Sequence, residues 1–100
     1  MASILQIDFP YVGPWGAEMF EMFRSLAESI SNEKGLIWKI WTENQERQEA
    51  GGIYLFERQI DAEAYLDMHV RRLEKNGFHD LRYRIFDIHS KLSEITNAPV

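Results

Sequence analysis

The fold is decided by residues 36–41, Leu-Ile-Trp-Lys-Ile-Trp, and by residues 52–56, Gly-Ile-Tyr-Leu-Phe. Both runs are rich in the β-branched and aromatic residues typical of strands, and the polar residues 42–49 between them indicate a β-hairpin. Side chains alternate across a strand, yet each run carries apolar residues on both faces. We therefore expect the chain's own helices to cover one face of the sheet and a second copy of the chain to cover the other.

One strand and one helix are predicted before the hairpin. Residues 4–9 alternate as a strand, which should end at Pro10 because proline cannot donate to a sheet ladder. Pro14 suits the first position of a helix, and apolar residues then recur at helical spacing as far as Ile30. Gly35 is the expected turn residue between this helix and the hairpin.

After the hairpin, the pattern predicts a second helix and a last strand. Asp61 is the expected N-cap of this helix, whose apolar stripe reaches Leu73 and whose stop is the pair at residues 76–77, Asn-Gly. Residues 81–89 alternate as a strand with a twist or bulge near its end, and we expect one helical turn in residues 90–100.

The order of these elements predicts an α+β protein with the ferredoxin-like βαββαβ sandwich, a four-stranded antiparallel sheet with both helices on one face. With 100 residues and 45% hydrophobic content, the chain is expected to form a single domain over residues 1–100. Pairing of two such sheets commonly covers an apolar second face, so we expect a homodimer through the sheet face.

Charge and composition limit the partners of the chain. The net charge of -5 argues against nucleic acid, because phosphate binding is driven by basic residues. We interpret the densest basic group as a solvated helix face, with an anion site as the alternative; it comprises Arg71, Arg72 and Lys75. No run approaches the roughly 20 apolar residues needed to span a bilayer, and the first residues do not resemble a signal peptide. We expect a cytoplasmic protein that binds neither membranes nor nucleic acid.

Several kinds of site lack support in the sequence. Without cysteine there is no thiolate nucleophile and no cysteine-based metal centre. His69, His79 and His89 have no carboxylate spaced to complete a metal site, and the chain has no nucleotide-binding glycine motif and no serine elbow. The pair at residues 51–52, Gly-Gly, is interpreted as a strand irregularity instead. We expect no metal and no cofactor.

His69 is the leading candidate for chemistry. It falls within the apolar stripe of the second helix, so it should point toward the sheet. Imidazole has an unperturbed pKa suited to proton transfer near neutral pH, which predicts a general base. The alternative is a buried histidine satisfied by one hydrogen bond.

A second group of candidates is aromatic, with Trp38, Trp41 and Tyr54 at its centre. These side chains join an apolar body to one polar donor, which suits a pocket for a flat substrate, although core packing would also explain each ring. Trp38 and Trp41 are three residues apart on one strand and should face opposite sides. Parity alone cannot fix the register, and we place Trp38 with Tyr54 beside the helices.

Three segments resemble the YdhR-like mono-oxygenase family: residues 36–43, residues 50–56 and residues 64–69. Gly-Pro at residues 13–14 and the helical residues 26–30 are also similar to that family, so the resemblance covers nearly the whole chain. It implies the dimeric α/β barrel group. That group includes mono-oxygenases of antibiotic biosynthesis, which oxidise aromatic polyketides without a cofactor, and haem-degrading mono-oxygenases.

The resemblance and the residues together suggest a cofactor-independent mono-oxygenase that acts on a phenol or quinol-type aromatic molecule. In this hypothesis His69 is the base and Tyr54 donates a hydrogen bond to the developing oxyanion. Trp38, Phe23 and Tyr65 form the substrate-binding walls. A non-catalytic dimer that binds a small hydrophobic ligand is the alternative, and a purely structural dimer is a third possibility.

Overall fold

A computed structural model describes residues 2–100. Its elements are β1 (Ser3–Pro10), α1 (Gly16–Ile30), β2 (Leu36–Asn44), β3 (Glu49–Phe56), α2 (Gln59–Lys75), β4 (Arg82–Asp87) and α3 (Ser90–Ile95). The strands form one antiparallel four-stranded sheet in the order β2-β3-β1-β4. Both long helices pack on the same face of this sheet. The predicted ferredoxin-like α+β fold is confirmed.

The core lies between the helices and the face of the sheet that they cover, which we call the inner face. Alternation along β1 turns every second side chain inward, and Leu5 and Ile7 are almost completely buried there. Tyr54 lies opposite Leu5 on β3, and Phe56 is two residues further on. Helix α2 completes the core with its apolar stripe, which comprises Ala62, Tyr65, His69 and Leu73.

The two long helices differ in how firmly they are held. Of the residues in α1, only Ile30 is fully buried, whereas α2 buries side chains along most of its length. Met19, Phe23 and Leu26 of α1 pack against the core but stay partly exposed. This looser packing leaves space between α1 and the inner face, and the candidate site lies there.

The ends of the helices differ from the predicted ends by about one turn or less. Helix α2 begins at Gln59 with Arg58 at the N-cap, so the prediction that Asp61 is the N-cap is wrong. The reason is an ion pair, because the Asp61 carboxylate accepts hydrogen bonds from Arg58 Nε at 3.1 Å and Nη2 at 3.2 Å.

Helix α1 begins at Gly16 rather than Pro14. The stop at Asn76 and Gly77 is confirmed, and Gly77 has the expected positive φ of 91°.

A β-bulge in β2 changes which side chains face the helices. Leu36 lies opposite Phe56, but the next paired residue, Trp38, lies opposite Leu55, so Ile37 is an additional residue in β2. Leu36 and Trp38 consequently face opposite sides despite their equal parity. The prediction that Trp38 lies beside the helices with Tyr54 is therefore wrong.

Strand β4 pairs with β1 without interruption over residues 82–87, so no bulge lies within it, and the alternative of a twist near its end stays a prediction. Gly51 and Gly52 lie within β3, where the pairings with both neighbouring strands continue through them. Phe86 breaks the expected alternation of β4 because the face opposite the helices is also apolar.

This opposite face, which we call the outer face, carries Trp38, Ile40, Leu55 and Phe86. The segment after α3 covers part of it, and the Pro99 carbonyl accepts a hydrogen bond from Trp38 Nε1 at 2.9 Å. Leu55 is only 1% exposed, but Ile40 remains 51% and Phe86 44% exposed. The expected helical turn in residues 90–100 is confirmed as α3. No helix within residues 2–100 is both long enough and apolar enough to cross a membrane.

Candidate active site between the helices and the sheet

A groove between α1 and β2 leads toward the core of the protein. Its volume is about 500 Å³, within the range of small-molecule sites, and its walls include Phe20, Phe23 and Trp41. Met19, Phe23 and Trp41 also line a smaller inner cavity of about 20 Å³, which continues to the inner face of the sheet. The groove and the cavity share these three residues and lie next to each other, and we call the two together the path, which is wide at the surface and narrow at its inner end.

Aromatic rings line both parts of this path, and the outer groove also carries charged side chains such as Glu28 and Glu43. The rings of Phe23 and Trp41 approach to 6.3 Å between centroids at the junction of groove and cavity. Phe23 thus lies where the sequence placed it, but the tryptophan of the cavity is Trp41, while Trp38 lies on the outer face. Aromatic rings of this kind can hold a flat ligand by its faces.

Two tyrosines and a histidine are stacked at the inner end of the path. Tyr65 Oη donates a hydrogen bond to Tyr54 Oη at 3.2 Å, which leaves the Tyr54 hydrogen free to donate to a ligand. The His69 ring stacks on Tyr65 at 5.0 Å and meets Tyr54 edge-on at 6.3 Å. Tyr54 and His69 line the inner cavity, whereas Tyr65 lies behind them and is not part of its wall.

Burial keeps both tyrosines protonated. It raises the pKa of Tyr54 far above its usual value, with a further increase from neighbouring Tyr65. It also raises the pKa of Tyr65 to about 12, although the nearby Arg72 opposes this effect. Tyr54 is accordingly a hydrogen-bond donor near neutral pH, as the proposed oxyanion contact requires.

His69 is held in its neutral form. Burial, followed by the positive charges of Lys39 and Arg72, lowers its pKa to about 3. Arg72 Nη2 lies 2.8 Å from His69 Nδ1, and guanidinium groups only donate, so Nδ1 accepts and the ring proton belongs on Nε2. The prediction that His69 points toward the sheet is confirmed. The near-neutral pKa expected for a general base is wrong, because burial first and then the charges of Lys39 and Arg72 disfavour the protonated ring.

Arg72 also corrects the interpretation of the basic group on α2. Arg71 is exposed and pairs with Asp67 at 3.2 Å, as expected for a solvated face. Arg72 instead is half-buried and turns toward His69. One member of the basic group therefore contributes positive charge to the inner end of the cavity.

Lys39 is the residue of the site that sequence reasoning missed. Its Nζ lies 3.3 Å from the centre of the Trp41 ring and 4.6 Å from that of Tyr54. Burial and then the charge of Arg72 lower the pKa of Lys39 to about 7. The available signal was a lone lysine within the apolar run of residues 36–41. Such a residue on an inward-facing position of an otherwise apolar strand is a candidate for a functional amine.

Gly52 makes room for the Lys39 side chain. A Cβ atom at residue 52 would lie 2.5 Å from Lys39 Cε and 3.2 Å from Tyr54 Cε1. The absence of a side chain on β3 thus lets the lysine stem cross the strand and reach the cavity.

Within residues 2–100, no group of three or more histidine, aspartate and glutamate side chains could hold a metal ion.

The fold and the site define a ferredoxin-like protein with an aromatic path that ends at a buried cluster of proton donors and acceptors. Residues 4–99 match the family described as "Putative mono-oxygenase ydhR", and the chain belongs to this family. Among solved structures, it is similar to a "putative antibiotic biosynthesis monooxygenase" from Deinococcus radiodurans, with 12% sequence identity and a TM-score of 0.57. That match covers 88% of this chain and 92% of the other and shows a shared fold. None of the curated proteins matches the chain.

Proposed function

We propose that this protein is a cofactor-independent mono-oxygenase that oxidises an electron-rich aromatic molecule of the phenol or quinol type. The observation that carries the proposal is the aromatic path from the surface groove to Tyr54 and His69. Membership of a mono-oxygenase family supports the reaction type. The width of the groove and its aromatic walls support a flat, mainly apolar substrate.

The proposed reaction takes its electrons from the substrate. Loss of a proton gives a phenolate whose negative charge extends onto a ring carbon, and this anion passes one electron to dioxygen. The resulting radical pair combines to form a carbon–oxygen bond, and protonation gives a hydroperoxide. Loss of the hydrogen on that carbon breaks the oxygen–oxygen bond, so that one oxygen atom stays as a quinone carbonyl and the other leaves as water.

Each residue of the site has a defined role in this proposal. Phe23 and Trp41 hold the faces of the substrate, and Tyr54 donates a hydrogen bond to its oxygen as negative charge develops. Tyr65 is a positioning residue that orients the Tyr54 hydroxyl. We assign His69 a hydrogen-bonding role as a neutral ring rather than the role of a base. With a pKa of about 3, the ring takes up a proton only in acid.

A non-catalytic, ligand-binding module is the second candidate function. The low pKa of His69 favours it, since the predicted general base is a weak one in this environment. In such a module, substitutions in the cavity would weaken binding in proportion to lost packing, and no turnover of aromatic compounds would be measured.

We further propose that two chains associate through the outer face of the sheet. Ile40 and Phe86 supply exposed apolar surface there, beside the C-terminal segment that contacts Trp38 through the Pro99 carbonyl. Covering such a face with its own copy would remove this surface from water.

Dioxygen consumption tests the proposed activity. Protein purified without added cofactor should be colourless and should consume dioxygen when mixed with a suitable anthrone, quinol or other electron-rich phenol. Tyr54→Phe should slow turnover roughly a hundredfold, because an oxyanion donor is lost. Tyr83→Phe removes an exposed tyrosine hydroxyl and should leave the rate unchanged. A requirement for flavin or haem, or equal rates for both variants, would refute the proposal.

A further inference from the structure

The inner end of the cavity carries positive charge without a matching negative charge. Lys39 enters from β2 and Arg72 from α2, and both lower the pKa of His69. Within the described residues 2–100, the aspartate and glutamate ion pairs involve other arginines, and neither Lys39 nor Arg72 belongs to one. Both cations are partly buried, and cations withdrawn from water are normally paired with an anion.

The groups that face Lys39 are rings and a second cation. Tyr54 meets it from β3, and His69 and Arg72 lie on α2, while the α1 side of the cavity contributes apolar residues such as Phe23 and Leu26. The ammonium therefore has only ring faces as close partners in the free protein, and cation–π contacts are weaker than an ion pair with a hydrogen-bonded anion.

We infer that the inner end of the cavity binds the deprotonated oxygen of an acidic aromatic ligand, a phenolate or enolate, with the Lys39 ammonium as its ion partner. The Tyr54 hydroxyl supplies a second donor to the same oxygen. The aromatic path then holds the ring of the ligand. This site selects aromatic compounds with an ionisable oxygen over neutral aromatics of equal size.

Lys39 also accounts for how the anion forms. Because burial and Arg72 bring its pKa to about 7, a substantial fraction of the amine is neutral near neutral pH. The neutral amine accepts the proton of the ligand hydroxyl, the oxygen–hydrogen bond breaks, and the ammonium stays beside the phenolate. No electron is transferred in this step.

Gly52 supports the inference independently. It leaves the space through which the lysine stem passes, so the ammonium reaches the aromatic cluster instead of solvent. A lysine that only packed its methylene groups on the sheet would not need this opening. The inference rests on the proposed function only in the claim that the bound anion is subsequently oxidised.

Binding of two matched probes tests the inference. The first is para-nitrophenol, whose phenolate absorbs visible light, and the second is para-nitroanisole, which has no ionisable hydroxyl. We expect the wild-type protein to bind the first as its phenolate and to lower its apparent pKa. Lys39→Met should weaken phenolate binding roughly tenfold to a hundredfold, the range expected for loss of a charge-assisted hydrogen bond. Binding of para-nitroanisole should change less than twofold.

Two further variants separate charge from packing. Lys39→Arg keeps a positive charge and should retain most of the phenolate affinity, but it cannot accept a proton and should lose turnover. Lys34→Met removes an exposed lysine and should behave as the wild type. Equal loss of both probes in Lys39→Met, or no loss of either, would overturn the inference.

A measurement on the wild-type protein avoids dependence on any variant. The nuclear magnetic resonance signals of the Lys39 methylene beside the ammonium should shift with para-nitrophenol much more than with para-nitroanisole. Equal shifts would contradict the inference. If the selective binding is found but no aromatic compound drives dioxygen consumption, the proposed oxygenase function fails while the anion site stands. If Lys39→Met still consumes dioxygen with an aromatic compound, the oxygenase function stands while the proposed role of Lys39 at the anion site fails.

Discussion

His69 shows how strongly neighbouring elements can change a single residue. The lowered pKa of about 3 means that the unfolded chain binds a proton at His69 before the folded protein does, as pH falls below the ordinary value of 6.5. The folded state therefore loses stability across this interval. Burial and the two cations, Lys39 and Arg72, therefore lower the free energy of unfolding through His69 only in acid.

We expect His69→Gln to reduce this loss of stability in acid. The free energy of unfolding should be measured by urea denaturation near neutral pH and again in the lower part of the interval between pH 6.5 and 3. Loss of packing lowers stability at both pH values, so the difference between them reports the histidine. His79→Gln, at an exposed position, should keep the wild-type pH dependence. An unchanged difference in His69→Gln would show that the ring is not held neutral.

The two tryptophans of β2 offer a matched pair for ligand binding. Trp41→Leu should weaken binding of para-nitroanisole roughly tenfold, because an aromatic wall of the path is lost. Trp38→Leu should leave binding within about twofold, since Trp38 lies on the outer face and donates to Pro99. Titration calorimetry can measure both. A larger effect of Trp38→Leu would contradict the register of β2.

The sequence could not predict this pair correctly because strand parity assumes an unbroken strand. The bulge at Ile37 reverses the faces of all later residues in β2, and no glycine or proline marks it. The same reversal hid Lys39, which parity placed with Trp41 on the face away from Tyr54. The inward direction of His69 was predictable because helical periodicity extends over many residues. The pKa of His69 was not, because it depends on how deeply the ring is buried and then on charges from β2 and α2.

Among the elements, α1 and α2 are expected to differ in local stability. Helix α1 has one fully buried residue, Ile30, and forms one wall of the groove, whereas α2 is held by its buried stripe. Regions with little burial open at lower free energy than the core. The narrow inner cavity also implies that a ligand must displace rings carried by α1 and β2.

Hydrogen exchange measures this difference directly. Amides in the middle of α1 should exchange faster than those in the middle of α2, and binding of para-nitrophenol should protect α1 more than α2. Similar protection in the free protein, or ligand protection confined to α2, would be inconsistent with the groove as the binding path.

The order and type of the elements were predictable because they depend on local periodicity. The alternation in β1 and the apolar stripe of α2 each repeat several times along the chain, so a single exception does not change the predicted element. The starts of the helices were less predictable. Asp61 satisfies the preference for an N-cap residue but is needed by Arg58, and only the structure shows which partner it takes.

For the whole molecule, the outer face is the main test of assembly. Ile40→Glu or Phe86→Glu would place a charge in the proposed interface between two sheets, and either change should shift the proposed dimer to monomer. Light scattering at micromolar concentration measures the mass of the particle. Ile60→Glu alters an isoleucine on α2 that is 62% exposed and should leave the mass unchanged. A wild-type monomer would contradict the proposed dimer.

We propose that the cavity uses dioxygen to oxidise an aromatic substrate without a cofactor. The most direct measurement is mass spectrometry of the product formed under isotopically labelled dioxygen, with metal-free protein prepared in the presence of a chelator. One labelled oxygen atom should enter the product and the other should appear in water, and Tyr54→Phe should slow the labelling. Product that contains oxygen only from water, or no labelled product until flavin or haem is added, would contradict it.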